Sequence, residues 1–173
     1  QRLQVIRAFI LVKDMLTKFV TLLPCELGNE KHPASSKMRD ALIAFRARAR
    51  QLTNIPDLNI GRLLTDAGAE HKGVCAQWIN NEGIDHVKTV QSKSSANGGA
   101  ESAIKTVRRY IFGDFKALRK AWLAANPGRA AAAFNYDFVA RVPTIEQRYN
   151  SKYHKVLGSG ATPLSAITHD QSP

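Results

Sequence analysis

Two carboxylates pose the first chemical question in this chain. Asp66 closes the apolar run "NIGRLLTD", and Glu101 opens a helical pattern directly after "SKSSANGG". In open α/β sheets, ligand-binding residues gather at the carboxyl ends of strands and in the loops that follow. A strand-end aspartate and a helix-start glutamate can therefore converge there. Paired carboxylates suit hard divalent cations, since Mg²⁺ takes oxygen ligands and keeps positions for water and substrate phosphate. Two such ions about 3.5–4 Å apart can activate a nucleophile and stabilise the leaving oxygen of a phosphodiester. On spacing alone, an equally good reading makes Asp66 a turn residue and Glu101 an acid favoured by the helix dipole.

The residues after Glu101 tip this balance. Lys105 and Arg108 stand four and seven positions on, so all three share one helix face opposite the stripe Ile104, Val107 and Ile111. A glutamate-held metal would grip the scissile phosphate while these two cations hold its neighbours. Arg109 is offset from that face but within reach of the same backbone. The blander alternative is a Glu–Lys pair on a solvated face, worth about 0.2–0.5 kcal/mol.

The bulk composition agrees with a polyanionic partner. Lys and Arg number 25 against 14 acidic residues, a formal net charge of +11, which makes nucleic acid the default partner. A membrane surface is the runner-up, but the basic residues are spread along the chain rather than massed beside an apolar anchor. No apolar run approaches the roughly 20 residues that a membrane span needs, and the polar, strand-like start does not read as a secretory leader. At 173 residues, 44% hydrophobic and 23% charged, the chain suits one compact domain. Cys25 and Cys75 are isolated, with no His at ligand spacing. They read as reduced, half-buried thiols, not a zinc site, and fit the nucleus or cytoplasm.

The elements that must position these residues alternate. Val5 to Leu23 reads as two strands with a turn around Leu16–Lys18. A helix follows, N-capped by Ser35 or Ser36 with Asp40 in its first turn, and Met38, Leu42, Phe45, Ala49 and Leu52 form its apolar stripe. Its Lys37, Arg39, Arg46, Arg48 and Arg50 read as a solvated face ahead of a DNA grip. Next come the strand ending at Asp66, the loop "AGAEHKG", a short helix closed by Gly83, and the strand "IDHVKTVQ". The long helix from about Ala100 carries Ile104, Val107, Ile111, Leu118 and Trp122 inward, with Gly113 as a weak point. Three more helices are predicted: one within "NPGRAAAAFNYDFVARV", one over "PTIEQRYNSKYH", and one opening at Pro163. This order predicts a mixed α/β sheet flanked by helices.

"LLTDAGAE", "INNEGIDHVKT" and "SKSSANGGAESAIKTVRR" together resemble the core of retroviral, retrotransposon and Polinton-type integrases. "FILVKDMLTKFVTLLP" is similar to the family's second strand and its DxxSK turn, and "YNSKYHKVLGSGATP" to its late YN…H…TP segment. The motifs cover most of the chain in the family's order, and Glu101 follows Asp66 by 35 positions, close to the family's spacing. The resemblance implies an RNase H-like fold and a DDE triad binding Mg²⁺ or Mn²⁺, two ions in all. The implied activity is DNA 3'-end processing and strand transfer, by a homo-oligomer acting on element ends and target DNA.

Residue by residue, Asp66 matches the family's second acid and Glu101 the third. Asn97 and Gly98 match the NG of the active-site loop, and Lys93 and Asn97 join Lys105, Arg108 and Arg109 as candidate DNA contacts. His86 matches a structural strand histidine, and Asn150 and His154 read as packing or capping residues. Ala67 and Ser102 replace the Asn and Arg that usually follow the second and third acids, which alters the surroundings of the ligands but not the ligands. The family's first acid lies on a strand ahead of the DxxSK turn, and the count back to it runs past Gln1. Asp14 matches the aspartate of the turn, and making it the first acid is the less favoured shortcut. The paired cysteines of the family's zinc-binding domain are absent from this sequence. Residues 1–125 are expected to form the core, 126–167 a helical extension and 168–173 a tail. The alternatives are a degenerate or domesticated core that binds nucleic acid without catalysis, and an RNase H-type nuclease, against which the "YNSKYH" segment argues.

Overall fold

A computed structural model describes residues 8–25, 33–66, 68–89, 98–158 and 160–169. Strands β1 (Ala8–Lys13) and β2 (Val20–Cys25) form an antiparallel pair, with Lys13 opposite Val20 and Ala8 opposite Cys25. β-Branched and aliphatic residues favour this pleated, half-buried geometry. The reversal between them is held by Asp14, whose backbone N–H donates to the Phe19 carbonyl at 2.8 Å, and Lys18 takes a φ of +63° to close it.

Side chains alternate across the two strands, as period-2 geometry requires. Phe9, Leu11, Val20 and Leu22 face one core with Ala103, Val107, Ile145 and Tyr149. Ala8, Ile10, Leu23 and Cys25 face another with Met38 and Ala41. The pair is thus a middle layer between helix α1 (Ser35–Thr53) on one face and helices α3 (Gly98–Ala125) and α4 (Phe138–Asn150) on the other.

Strands β3 (Arg62–Thr65) and β4 (Asp85–Lys88) form a second, parallel pair, linked by helix α2 (Gly73–Asn81), with Arg62 opposite Asp85. Leu42, Cys75, Ile79 and Ile84 tie this pair to α1. The single mixed sheet expected from the sequence is therefore two two-stranded sheets among the described residues. Between them lies a cleft of about 1030 Å³, lined by Phe9 to Lys13 of β1 and Arg62 to Thr65 of β3.

Several local expectations change. Ser35 is inside α1, not its cap. Ala34 precedes the helix without capping it, and the Ser35 hydroxyl accepts from the Cys75 N–H at 2.9 Å and donates to the Lys72 carbonyl. The serine thereby satisfies the start of α2 instead of its own helix, and Asp40 falls in the second turn beside Arg39. Gly113 does not break α3. The alanine run forms only a short 3₁₀ turn, Ala131–Ala133, because Phe134 and Tyr136 anchor the chain on α3 through Phe115 and Trp122. The two helices expected on either side of Pro143 are one, α4, capped by Asp137 accepting from the Ala140 N–H at 3.1 Å. Pro143 lies on an exposed turn, where water can take the carbonyl that it leaves unpaired. Helix α5 (Pro163–His169) begins at its proline as predicted, with Thr162 and Ser165 exchanging side-chain and backbone hydrogen bonds.

Helix α4 also seals the outer edge of β2. The Asn150 amide accepts from the Val20 N–H and donates to the Val20 carbonyl, each at 2.9 Å, and Glu146 accepts from the Leu22 N–H at 2.8 Å. Asn150 is only 3% exposed, so Asn150→Leu leaves a buried backbone donor and acceptor unpaired. We expect a loss of about 2–4 kcal/mol in urea unfolding. A shift below about 1 kcal/mol would show that the pair does not hold this edge.

Candidate functional site

The cleft between the two sheets gathers the acids. Asp14, Asp66, Glu70 and Glu101 line it, with His71 beside them. Asp66 follows the last residue of β3 and is exposed; Glu101 is exposed in the first turn of α3. Strand end and helix start thus both line this cleft.

Four contacts fix the rim. The Lys13 ammonium donates to the Gly99 carbonyl at 2.9 Å, which ties the end of β1 to the start of α3. Burial and the Lys18 charge hold its pKa below the ordinary lysine value, with Asp14 opposing them. On the β3 side, the Thr89 N–H donates to the Thr65 carbonyl at 2.8 Å. The Thr65 hydroxyl donates to the Asp66 carbonyl at 2.9 Å and lies 2.8 Å from His86 Nε2. A hydroxyl has one proton to give, so His86 is the donor in that second contact and carries its proton on Nε2. This is the structural role expected of His86.

Asp14 uses its carboxylate locally. Oδ1 accepts from the Leu16 N–H at 3.3 Å, and Oδ2 from the Thr17 N–H at 2.7 Å and from the Thr17 hydroxyl. That is the geometry of a turn cap. Asp66 is less engaged, accepting from the Gly68 N–H at 3.2 Å through Oδ1, which also lies 3.7 Å from His71 Nε2.

Lys105, Arg108 and Arg109 are exposed on α3, beyond Glu101 and away from buried Ala103, Val107 and Tyr110. Among the described residues Lys105 and Arg108 make no hydrogen bond or ion pair, and Arg109 reaches only the Thr106 hydroxyl at 3.4 Å. Further along, Lys116, Arg119 and Lys120 continue the cationic surface. The basic residues of α1 differ. Arg46 pairs with Glu82 and covers the Trp78 ring, Arg50 donates to the Leu58 carbonyl, and Arg39 pairs with Asp40. Those cations are engaged at home, as the solvated-face reading expected. Lys93 and Asn97 lie outside the described residues.

Glu70 and His71 were missed as site residues, because "AGAEHKG" reads as a plain loop. A 3₁₀ turn at Ala69–His71 brings one ligand atom from each of Asp66, Glu70 and His71 within 4.8 Å of one another. An Asp followed at four and five positions by Glu and His was the available signal. Glu70 Oε2 and His71 Nδ1 are buried without a hydrogen-bond partner, an arrangement that disfavours the empty state and fits a cation.

No protein-family model matches the chain, and no curated protein matches it. Among solved structures, a chain of the simian T-cell lymphotropic virus intasome in complex with PP2A regulatory subunit B56 gamma matches 94% of this chain at 13% identity, with a TM-score of 0.60. This chain spans 48% of that one, about half its length. The dimeric and trimeric forms of the HTLV-2 integrase catalytic core domain in complex with magnesium match 95% and 94% of this chain, and 84% and 93% of their own. Their identities are 16% and 14%, with TM-scores of 0.49 and 0.47. The intasome match shows the fold. It is α/β and RNase H-like, as the motifs implied.

Burial holds His71 below the ordinary imidazole value despite Glu70 and Asp66, and burial with Lys88 and His71 does the same for His86. The unfolded chain then binds protons that the folded chain does not, so stability is full above about pH 6.5 and is lost as pH falls below it. Glu146, whose pKa burial raises, acts in the opposite sense at lower pH. Urea midpoints across this range should fall on acidification, and fall less in His71→Gln; an equal fall in both would remove His71 from the account.

Proposed function

We propose that this chain is the catalytic core of an integrase-type polynucleotidyl transferase, carrying out metal-dependent DNA 3'-end processing and strand transfer. One observation carries the reading: Asp66 at the end of β3 and Glu101 in the first turn of α3 open on the same cleft. Asp66 and Glu101 would hold Mg²⁺ or Mn²⁺, which when bound supplies positive charge to the attacking and leaving oxygens of a phosphodiester. Lys105 and Arg108, one and two turns beyond Glu101, bind neighbouring phosphates and set the register of the DNA. Arg109, Lys93 and Asn97 belong to the same proposed DNA surface. The protein acts on element ends and target DNA as a homo-oligomer.

Asp14 is a poor first acid, since both its oxygens already cap the turn. The resemblance puts that acid on a strand ahead of this turn. β1 and β3 are each paired on one side, by β2 and β4, and both line the cleft. A strand entering between them could hydrogen-bond to both and bring its carboxylate to Asp66 and Glu101. The same observation favours a second reading, a core that binds DNA without chemistry, because the described residues supply two acids of the triad with open carboxylates.

Strand transfer of a labelled DNA end with Mg²⁺ or Mn²⁺ separates the two readings. The first expects activity that Asp66→Asn and Glu101→Gln each abolish while DNA binding remains; activity surviving both substitutions would overturn the assignment. Lys105→Ala and Arg108→Ala should each weaken DNA binding and reduce the slope of log K against log salt by about 1. An unchanged slope would return these residues to an idle solvated face.

A further inference from the structure

The turn after β3 contains a ligand set distinct from the Asp66–Glu101 pair. We propose that Asp66, Glu70 and His71 together bind one first-row metal ion of the Zn²⁺ type in preference to Mg²⁺. The site shares Asp66 with the proposed catalytic reading but does not depend on it, since its other two ligands come from the 3₁₀ turn and not from α3.

Three observations converge. One ligand atom from each residue lies within 4.8 Å of the others, so a small inward shift brings all three to the roughly 4.4 Å or less that donors about 2.0–2.2 Å from a common ion can span. His71 is only 7% exposed, with Nε2 turned to Asp66 Oδ1 at 3.7 Å, too far for a hydrogen bond, and Nδ1 without a partner. Glu70 Oε2 is likewise buried and unpaired. Among the described residues, a carboxylate oxygen and a ring nitrogen of a buried imidazole are thus unpaired, a state that a bound cation relieves.

The donor set chooses the ion. Mg²⁺ favours all-oxygen octahedral surroundings and gives up its waters reluctantly, whereas imidazole nitrogen favours Zn²⁺ and neighbours such as Ni²⁺ and Cu²⁺. Three protein ligands leave at least one position for water or a phosphate oxygen. Gly68 belongs to the design. A Cβ there would fall 2.4 Å from Glu70 Oε2, so any other residue expels the carboxylate from the set. His86 is not a competing ligand through Nε2, which is bonded to Thr65.

Calorimetric titration of the whole chain with Zn²⁺, Mn²⁺ and Mg²⁺ separately tests the proposal. Zn²⁺ should bind with one ion per chain, and equal Mg²⁺ should not displace it; Mn²⁺, which suits the Asp66–Glu101 pair as Mg²⁺ does, should compete poorly at this site. Glu70→Gln, His71→Gln and Gly68→Ala should each weaken binding by about tenfold or more, while Glu101→Gln leaves it unchanged. Gly68→Ala keeps every ligand, so its effect is not lost folding of the ligand residues. On the unsubstituted chain, Co²⁺ should give a paramagnetically shifted, exchangeable imidazole N–H resonance. Zn²⁺ binding that persists in Glu70→Gln and His71→Gln, or that Glu101→Gln removes, would overturn the proposal. Zn²⁺ binding without strand transfer would leave this site standing and sink the catalytic reading, and strand transfer by a chain that binds Zn²⁺ no better than Mg²⁺ would do the reverse.

Discussion

A two-stranded sheet has two open edges, and the fold depends on how each edge is satisfied. Unpaired strand edges invite association with other chains. On the outer edge of β2 the answer is built from side chains: Asn150 and Glu146 of α4 take the backbone groups of Val20 and Leu22. These contacts join residues more than 120 positions apart. They commit α4 to the sheet, and α4 in turn packs Val142, Ile145 and Tyr149 against α3. The inner sides of β1 and β3 get no such cover from the described residues, and the acids collect at the end of that cleft. Among the described residues, the uncovered strand edges and the acids line one cleft.

The parts legible in the sequence were those set by local pattern. Period-3.6 stripes marked α1 and α3, β-branched and aliphatic runs marked β1 and β2, and Gly83 with φ of +66° ended α2 where its sequence suggested. Asp66 and Glu101 were visible because a strand end and a helix start are chain-local features. What escaped depends on partners distant in sequence. Ser35 looks like a cap until Cys75 appears beside it, 40 positions on. Ala131 to Ala133 has high helix propensity, but ring contacts to Phe115 and Trp122 override it. Asp66, Glu70 and His71 become neighbours only through a short turn that the composition of the loop does not announce.

Charge follows the same division between engaged and open. The chain carries +11, but its cations are not equivalent. On α1, Arg39, Arg46 and Arg50 are occupied by Asp40, by Glu82 and an indole face, and by a carbonyl, so these three contribute to packing and only weakly to capture of a polyanion, while Lys37 and Arg48 stay exposed. The cations of α3 run along the exposed side from Lys105 through Lys120. A basic overall composition thus becomes directional because one helix spends most of its charges internally and another does not.

The far end of α3 obeys a separate logic. The helix has 28 residues, about 42 Å at 1.5 Å per residue, yet its beginning is tied to β1 through Gly99. Beyond Gly113, Asp114 is clamped by Tyr136 and by both guanidinium contacts of Arg141, which hold its carboxyl well below the usual range. Phe115 and Trp122 meet Phe134 and Tyr136 over the same stretch. This hairpin stabilises itself, so its tip at Pro127–Gly128 can gain or lose residues over evolutionary time without moving Glu101. Lineages descending from such a chain would be free to diversify what this arm touches while inheriting the cleft residues in unchanged positions.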